Sequence, residues 1–215
     1  MSADGAMQRI LETGVVAIMR ANSPDQLLGA ARAVLEGGVA AIEVTMTTPG
    51  ALDVIREATR QFGKEVLFGV GSVLDGETAR MAILAGAQFV VCPTFKPATV
   101  EVCQRYSVPV VPGAYTPTEI LTAWEAGASA VKVFPASVGG PAYLKAIKAP
   151  LPQVSLSAVG GVNLENTADF VRAGADFVGV GGELVSQKLL DACNFAEITA
   201  RALGFQEQVQ KGRAR

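Results

Sequence analysis

A chain of 215 residues, half of them hydrophobic and 18% charged, is long enough for one large core and shows no shift of composition that would divide it. Its formal charge of −2 gives no basic field for nucleic acid, and the absence of histidine removes the commonest general base, the Ser-His and Cys-His pairs and most transition-metal sites. Met1–Gly5 carries no charged-then-apolar leader, and Gly, Pro or charge breaks every apolar run before bilayer length, so a cytoplasmic protein without nucleic-acid or membrane partners is expected.

In chain order, the apolar run Gly14–Met19 reads as a first strand and ends at Arg20. An Ala-rich stretch then reaches Leu35-Glu36-Gly37-Gly38, a helix ending at glycine, and feeds a second strand, Ala41-Ile42-Glu43-Val44, followed by Thr45 and Thr47. A third run, Val66–Val70, leads into Gly71 and Ser72. Ala85-Gly86-Ala87 precedes a fourth strand, Phe89-Val90-Val91, and Val108–Val111 is the fifth. Ala126-Gly127-Ala128 precedes the sixth, Ala130-Val131-Lys132-Val133. Val154–Ser157 is the seventh and runs on to Val159-Gly160-Gly161. Ala173-Gly174-Ala175 introduces the eighth, Phe177-Val178-Gly179-Val180, which ends in Gly181-Gly182. Strands spaced by roughly 20 to 25 residues have the period of βα units. The pattern predicts an α/β fold, a (β/α)8 TIM barrel forming a single domain over residues 1–215, with a lead-in at 1–7 and a tail at 206–215. A doubly wound open sheet shares the alternation, but no Gly-x-Gly-x-x-Gly turn follows the first strand.

In such a barrel the working groups stand at the C-terminal ends of the strands. Lys132 is the most informative, a lysine inside an apolar, β-branched run. A buried ammonium is costly unless it is paired or neutral, and a neutral amine attacks carbonyls. The alternative is a lysine whose stem lies on apolar surface while its head reaches water. Glu43, between Ile42 and Val44, has the same oddity and reads either as a general acid and base or as a structural ion-pair partner for Lys132 or Arg20. The paired glycines Gly160-Gly161 and Gly181-Gly182 fall where barrels often bind phosphate on backbone N–H groups. Lys64, Lys96, Lys145, Lys148, Lys188 and Lys211 sit in polar contexts and read as solvated. Cys92, Cys103 and Cys193 read as reduced core thiols, and Tyr115, Trp124 and Tyr143 as packing or subunit contacts.

Arg20 after Val-Ala-Ile-Met, Ile-Glu43-Val-Thr, Gly-Val-Gly-Ser72-Val, Pro112-Gly-Ala-Tyr-Thr-Pro-Thr-Glu119, Lys132-Val-Phe-Pro-Ala, Gly160-Gly161-Val-Asn and Gly181-Gly182 occur in the order and spacing of the 2-keto-3-deoxy-6-phosphogluconate / 4-hydroxy-2-oxoglutarate aldolases, and the chain resembles that family over residues 8–205. The resemblance implies a class I aldolase in which Lys132 forms an imine with C2 of a 2-oxo acid and Glu43 moves protons. It implies no metal or other cofactor, since the protonated imine is the electron sink. The products would be pyruvate and glyceraldehyde 3-phosphate, or glyoxylate from 4-hydroxy-2-oxoglutarate. Thr45, Thr47, Ser72, Pro93, Phe134, Val159 and the four glycines are the implied substrate contacts, and a homotrimer the implied assembly.

The chain departs from well-known members at three places. Thr47 stands where some carry an arginine that holds the pyruvate carboxylate, which leaves Arg20 as the substitute clamp or, alternatively, as a phosphate ligand. Ala158-Val159 replaces Pro-Thr before the glycine pair, as in galactonate-type relatives, and Gly182 stands where a serine often helps hold phosphate. These departures keep open an imine-forming aldolase or decarboxylase on another, unphosphorylated 2-oxo acid. A non-catalytic phosphometabolite-binding or assembly-forming barrel is a third reading.

Overall fold

A computed structural model describes residues 3–20 and 24–214; Met1 and Ser2 of the expected lead-in and Arg215 of the tail lie outside the described residues. The strands are β1 (Val15–Met19), β2 (Ala41–Thr45), β3 (Leu67–Gly71), β4 (Val90–Val91), β5 (Val110–Val111), β6 (Gly113–Ala114), β7 (Val131–Val133), β8 (Leu156–Val159) and β9 (Phe177–Val180). The helices are α1 (Ala3–Thr13), α2 (Pro24–Glu36), α3 (Ala51–Phe62), α4 (Gly76–Ala85), α5 (Pro97–Arg105), α6 (Pro117–Glu125), α7 (Ala136–Lys148), α8 (Thr167–Arg172), α9 (Gln187–Asp191) and α10 (Phe195–Arg213). The sheet is parallel throughout and runs β5-β4-β3-β2-β1-β9-β8-β7-β6.

The two ends of that order are one stave. Pro112 separates β5 from β6 and has no N–H to give the ladder, but its carbonyl accepts from Lys132 N–H at 2.9 Å. On the other side Cys92 N–H donates to Val111 O at 3.1 Å, so the barrel closes as the expected eight staves with the fifth interrupted. The seventh strand lies two residues later than the apolar run suggests, at Leu156–Val159.

Alternation within the strands separates two cores. Outward side chains such as Val15, Ile42, Phe68, Val131 and Leu156 pack under the helices. Inward ones, Val16, Ala41, Leu67, Phe89, Val111, Ala130 and Phe177, fill the lower barrel with Ala6, Met7 and Ile10 of α1. The expected lead-in is therefore a plug, because Ala6, Met7 and Ile10 share one face of a helix and find apolar partners at the N-terminal ends of the strands. The expected tail is also helical. Ile198, Ala202, Phe205 and Val209 recur every three to four residues in α10 and are fully buried against the outer core. With its floor closed, the barrel has its opening at the other end.

Away from the barrel's mouth, two side chains differ from expectation. Lys148 is only 22% exposed, donates to Val154 O and pairs with Asp176 Oδ2 at 3.4 Å. Cys193 is exposed rather than core, in a left-handed turn at φ 48° after α9, whereas Cys92 and Cys103 are free and buried as expected. Tyr115 and Tyr143 do pack, their rings stacked at 4.9 Å.

Candidate active site

At the C-terminal mouth the inward positions change character. Glu43 on β2 is 3% exposed and Lys132 on β7 is 6% exposed, and both line one cavity of about 340 Å³. Each is inward because its strand neighbours, Ile42 and Val44 or Val131 and Val133, belong to the outer core. Arg20, Thr45, Ser72, Pro93, Phe134, Val159, Gly160, Gly161, Gly181 and Gly182 line the same cavity.

Thr47 does not. It is exposed beyond the end of β2 and reaches the site only through a 2.7 Å hydrogen bond between its hydroxyl and that of Thr45. The structure adds Ile18, Val162, Gly179 and Glu183 to the walls. Ile18, Val162 and Gly179 carry no chemical signal in the sequence, but each is one strand period or one loop step from a recognised residue. Glu183 directly follows the Gly181-Gly182 pair and brings a second carboxylate to the rim.

Glycines make the room. A Cβ on Gly71 of β3 would come within 1.7 Å of Glu43 Oε1, so the carboxylate lies over a strand that has no side chain there. A Cβ on Gly113 would meet the Pro93 carbonyl at 2.2 Å. At the seventh strand end Gly160 and Gly161 hold φ of 92° and 77°, the left-handed region where a side chain is strained. Their turn is pinned by Ser137 N–H donating to Gly160 O and by the Asn166 side chain donating to Gly161 O, both at 2.9 Å. Ser72 adopts φ 59° without being glycine, which costs about 1–2 kcal/mol and places it at the mouth directly after β3.

Burial pushes the Glu43 carboxyl above the ordinary carboxylate range, and the positive charges of Lys132 and Arg20 only partly oppose it. Among the described residues neither Glu43 nor Lys132 makes a side-chain ion pair. The structural-pair reading of these two groups is thus not the arrangement observed. Lys132 Nζ instead sits 4.8 Å from the Phe134 ring centroid. Cys92, close enough to feel both charges, has its thiol pushed up to about 12 by burial and faces the outer core. Among the described residues no cluster of three or more Cys, Asp or Glu side chains has the arrangement of a metal site.

The Pro112–Glu119 segment has a structural explanation. Thr116 and Glu119 form a capping box at the start of α6, with Glu119 Oε2 accepting from Thr116 N–H at 2.8 Å and Tyr115 N–H at 2.9 Å.

A buried amine and a buried carboxyl with raised proton affinity, facing one cavity, can form an imine and move protons around it. The family model described as KDPG and KHG aldolase matches residues 7–201. The chain belongs to the KDPG and KHG aldolase family. Within that family it is 38% identical to the 2-dehydro-3-deoxy-phosphogluconate aldolase of Treponema pallidum, across 91% of each chain. It is 37% identical to the 2-dehydro-3-deoxy-6-phosphogalactonate aldolase of Escherichia coli, across 83% of this chain and 87% of the relative. A solved KDPG aldolase from Legionella pneumophila, with pyruvate captured at low pH as a covalent carbinolamine intermediate, superposes with a TM-score of 0.86 at 26% identity, covering 92% of this chain and 96% of that one. The family's barrel architecture is thus the one described above.

Proposed function

We propose that this KDPG and KHG aldolase family member is a class I aldolase that cleaves a 2-dehydro-3-deoxy-6-phosphoaldonate, of the gluconate or galactonate series, to pyruvate and glyceraldehyde 3-phosphate. The observation that carries the proposal is the enclosure of Lys132 and Glu43 in one cavity without a mutual ion pair. Lys132 attacks the C2 carbonyl and, with loss of water, becomes an iminium. Glu43 takes the proton of the C4 hydroxyl, the C3–C4 electron pair moves into a C2–C3 enamine, and the aldehyde leaves. The protonated Glu43 returns its proton to C3, and hydrolysis of the imine frees pyruvate.

A buried carboxyl with raised proton affinity suits both halves of that transfer. Arg20 is the cation available to the pyruvate carboxylate, with Thr45 and Ser72 offering hydroxyls beside it. The distal glycine turns, Gly160-Gly161 and Gly181-Gly182, are the phosphate end. Val159 puts an apolar surface where a hydroxyl would otherwise face the substrate, which supports comparison of the two C4 epimers. The same reading places the enzyme in the cytoplasm and as a homotrimer.

The test is borohydride reduction with pyruvate, followed by intact mass and peptide mapping, alongside turnover of both epimers. A pyruvate adduct on Lys132, absent in Lys132→Ala, is the expected result. No adduct from the folded protein returns the chain to the binding-scaffold reading. Turnover confined to unphosphorylated 2-oxo acids would overturn the phosphoaldonate assignment.

A further inference from the structure

A second, smaller chamber lies deeper in the barrel, and it shares Glu43, Val159 and Gly179 with the substrate cavity. The Glu43 side chain is therefore a wall between the two. Apolar side chains, Ile10, Val91 and Phe177 among them, make most of the chamber, and one hydroxyl, Ser157, faces into it. Ser157 is 0% exposed, neighbours Lys132 in the β7–β8 ladder, and among the described residues its Oγ has no hydrogen-bond partner. The chamber's volume of about 10 Å³, counted as room for the centre of a water-sized sphere, lies at the lower limit for holding one water.

An orphaned buried hydroxyl is unfavourable, and here it shares a small, mainly apolar chamber with the Glu43 side chain. We infer that Ser157 holds a buried water against the inner side of Glu43, and so acts as a positioning residue for the group that moves protons. This rests on the role assigned to Glu43 above. The chemistry closes in both protonation states, because a serine hydroxyl donates or accepts as required. With Glu43 ionised, Ser157 O–H donates to the water and the water donates to the carboxylate. With Glu43 protonated, its O–H donates to the water and the serine rotates to accept.

The ionised arrangement gains more, since hydrogen bonds to a charged acceptor are the stronger. The other charged groups near Glu43 are Lys132 from β7 and Arg20 after β1, while the Cys92 thiol, just after β4, points to the outer core. Both cations favour the ionised form, and Cys92 stays protonated, so Ser157 and its water add to a balance that burial tilts the other way. Losing them raises the pH at which Glu43 gives up its proton.

The experiment follows proton exchange at pyruvate C3 against pH in the wild type, Ser157→Ala and the size-matched Ser157→Cys, with borohydride trapping on Lys132 as the control. In Ser157→Ala the acid limb moves up by about one pH unit, which is about a tenfold loss of exchange on that side, while the adduct still forms. Ser157→Cys shifts the limb the same way by less, and it carries the comparison if the alanine variant does not fold. A high-resolution crystal structure of the wild type shows a water within hydrogen-bond reach of Ser157 Oγ and Glu43. An unmoved limb in the folded variants, or no ordered water there, overturns the inference. If Glu43→Gln abolishes exchange while both serine variants behave as wild type, this inference alone fails; if Glu43→Gln also exchanges normally, the role of Glu43 fails with it.

Discussion

Glu43 is held where a carboxylate is least comfortable, and that discomfort has a thermodynamic consequence. Its proton affinity is raised in the folded state because burial disfavours the charge more than Lys132 and Arg20 favour it. The folded protein therefore binds the Glu43 proton more tightly than the unfolded chain does. By linkage, the group's contribution is most favourable below the ordinary value of 4.5 and is lost as pH rises through the raised folded value. Glutamine keeps the shape of the neutral form and cannot ionise. Glu43→Gln should accordingly melt at a higher temperature than the wild type at neutral pH, with the gap closing as the pH falls below about 4.5. Exchange at pyruvate C3 should meanwhile fall by about 10²–10⁴-fold. Calorimetry of the two proteins across that pH range decides it: equal melting temperatures at pH 7 would mean that Glu43 is not strained by burial.

At the scale of elements, β3 shows how a strand serves a site by leaving side chains out. Gly69 faces Phe89, where a Cβ would come within 2.4 Å, and Gly71 lies under the Glu43 carboxylate. Gly71 has no left-handed backbone, so Gly71→Ala keeps the strand geometry and acts through its methyl group alone. The methyl occupies the position of Glu43 Oε1 and forces the carboxylate to turn away. A displacement of about 1 Å in a catalytic group is worth on the order of 10²-fold in rate. Gly71→Ala should lose at least that much in kcat while borohydride still traps pyruvate on Lys132. A wild-type kcat would refute the placement of Glu43 over β3. Charges in β-branched runs made Glu43 and Lys132 legible from the sequence, because strand alternation leaves such residues only the lumen to face. The glycines opposite them were not legible in that way. Their role depends on which strand is adjacent, and adjacency comes from barrel closure rather than from any local pattern. Thr47 illustrates the reverse: it shares the strand's period on paper, but β2 ends at Thr45 and the chain turns outward before reaching it.

For the whole molecule, a parallel barrel has two ends and only one can be a site, so the other must be closed. The eight-unit period foretold the barrel, and glycine-terminated helices located every second strand. The floor was hidden because α1 buries only a short apolar set, Ala6, Met7 and Ile10 with Leu11 partly buried beside them, in a helix whose remaining residues are small or polar. That pattern stabilises little in isolation and gains its meaning from the ring of Val16, Ala41, Leu67 and Phe177 it covers. Ile10 is 0% exposed and also touches the chamber beneath Glu43. Shortening it removes apolar contact at the centre of the floor, where the surrounding strands are tied into a closed ladder and cannot collapse inward. Ile10→Ala should therefore cost about 2–5 kcal/mol, a fall of roughly 5–15 °C in Tm for a chain of this size. The mouth is built from the opposite ends of the strands, so below that lower Tm the variant should still form the pyruvate adduct on Lys132. Differential scanning calorimetry paired with adduct mass spectrometry separates the two effects. An unchanged Tm would show that α1 rests on the barrel without sealing it, and a lost adduct in the folded variant would show that floor and mouth are mechanically one unit.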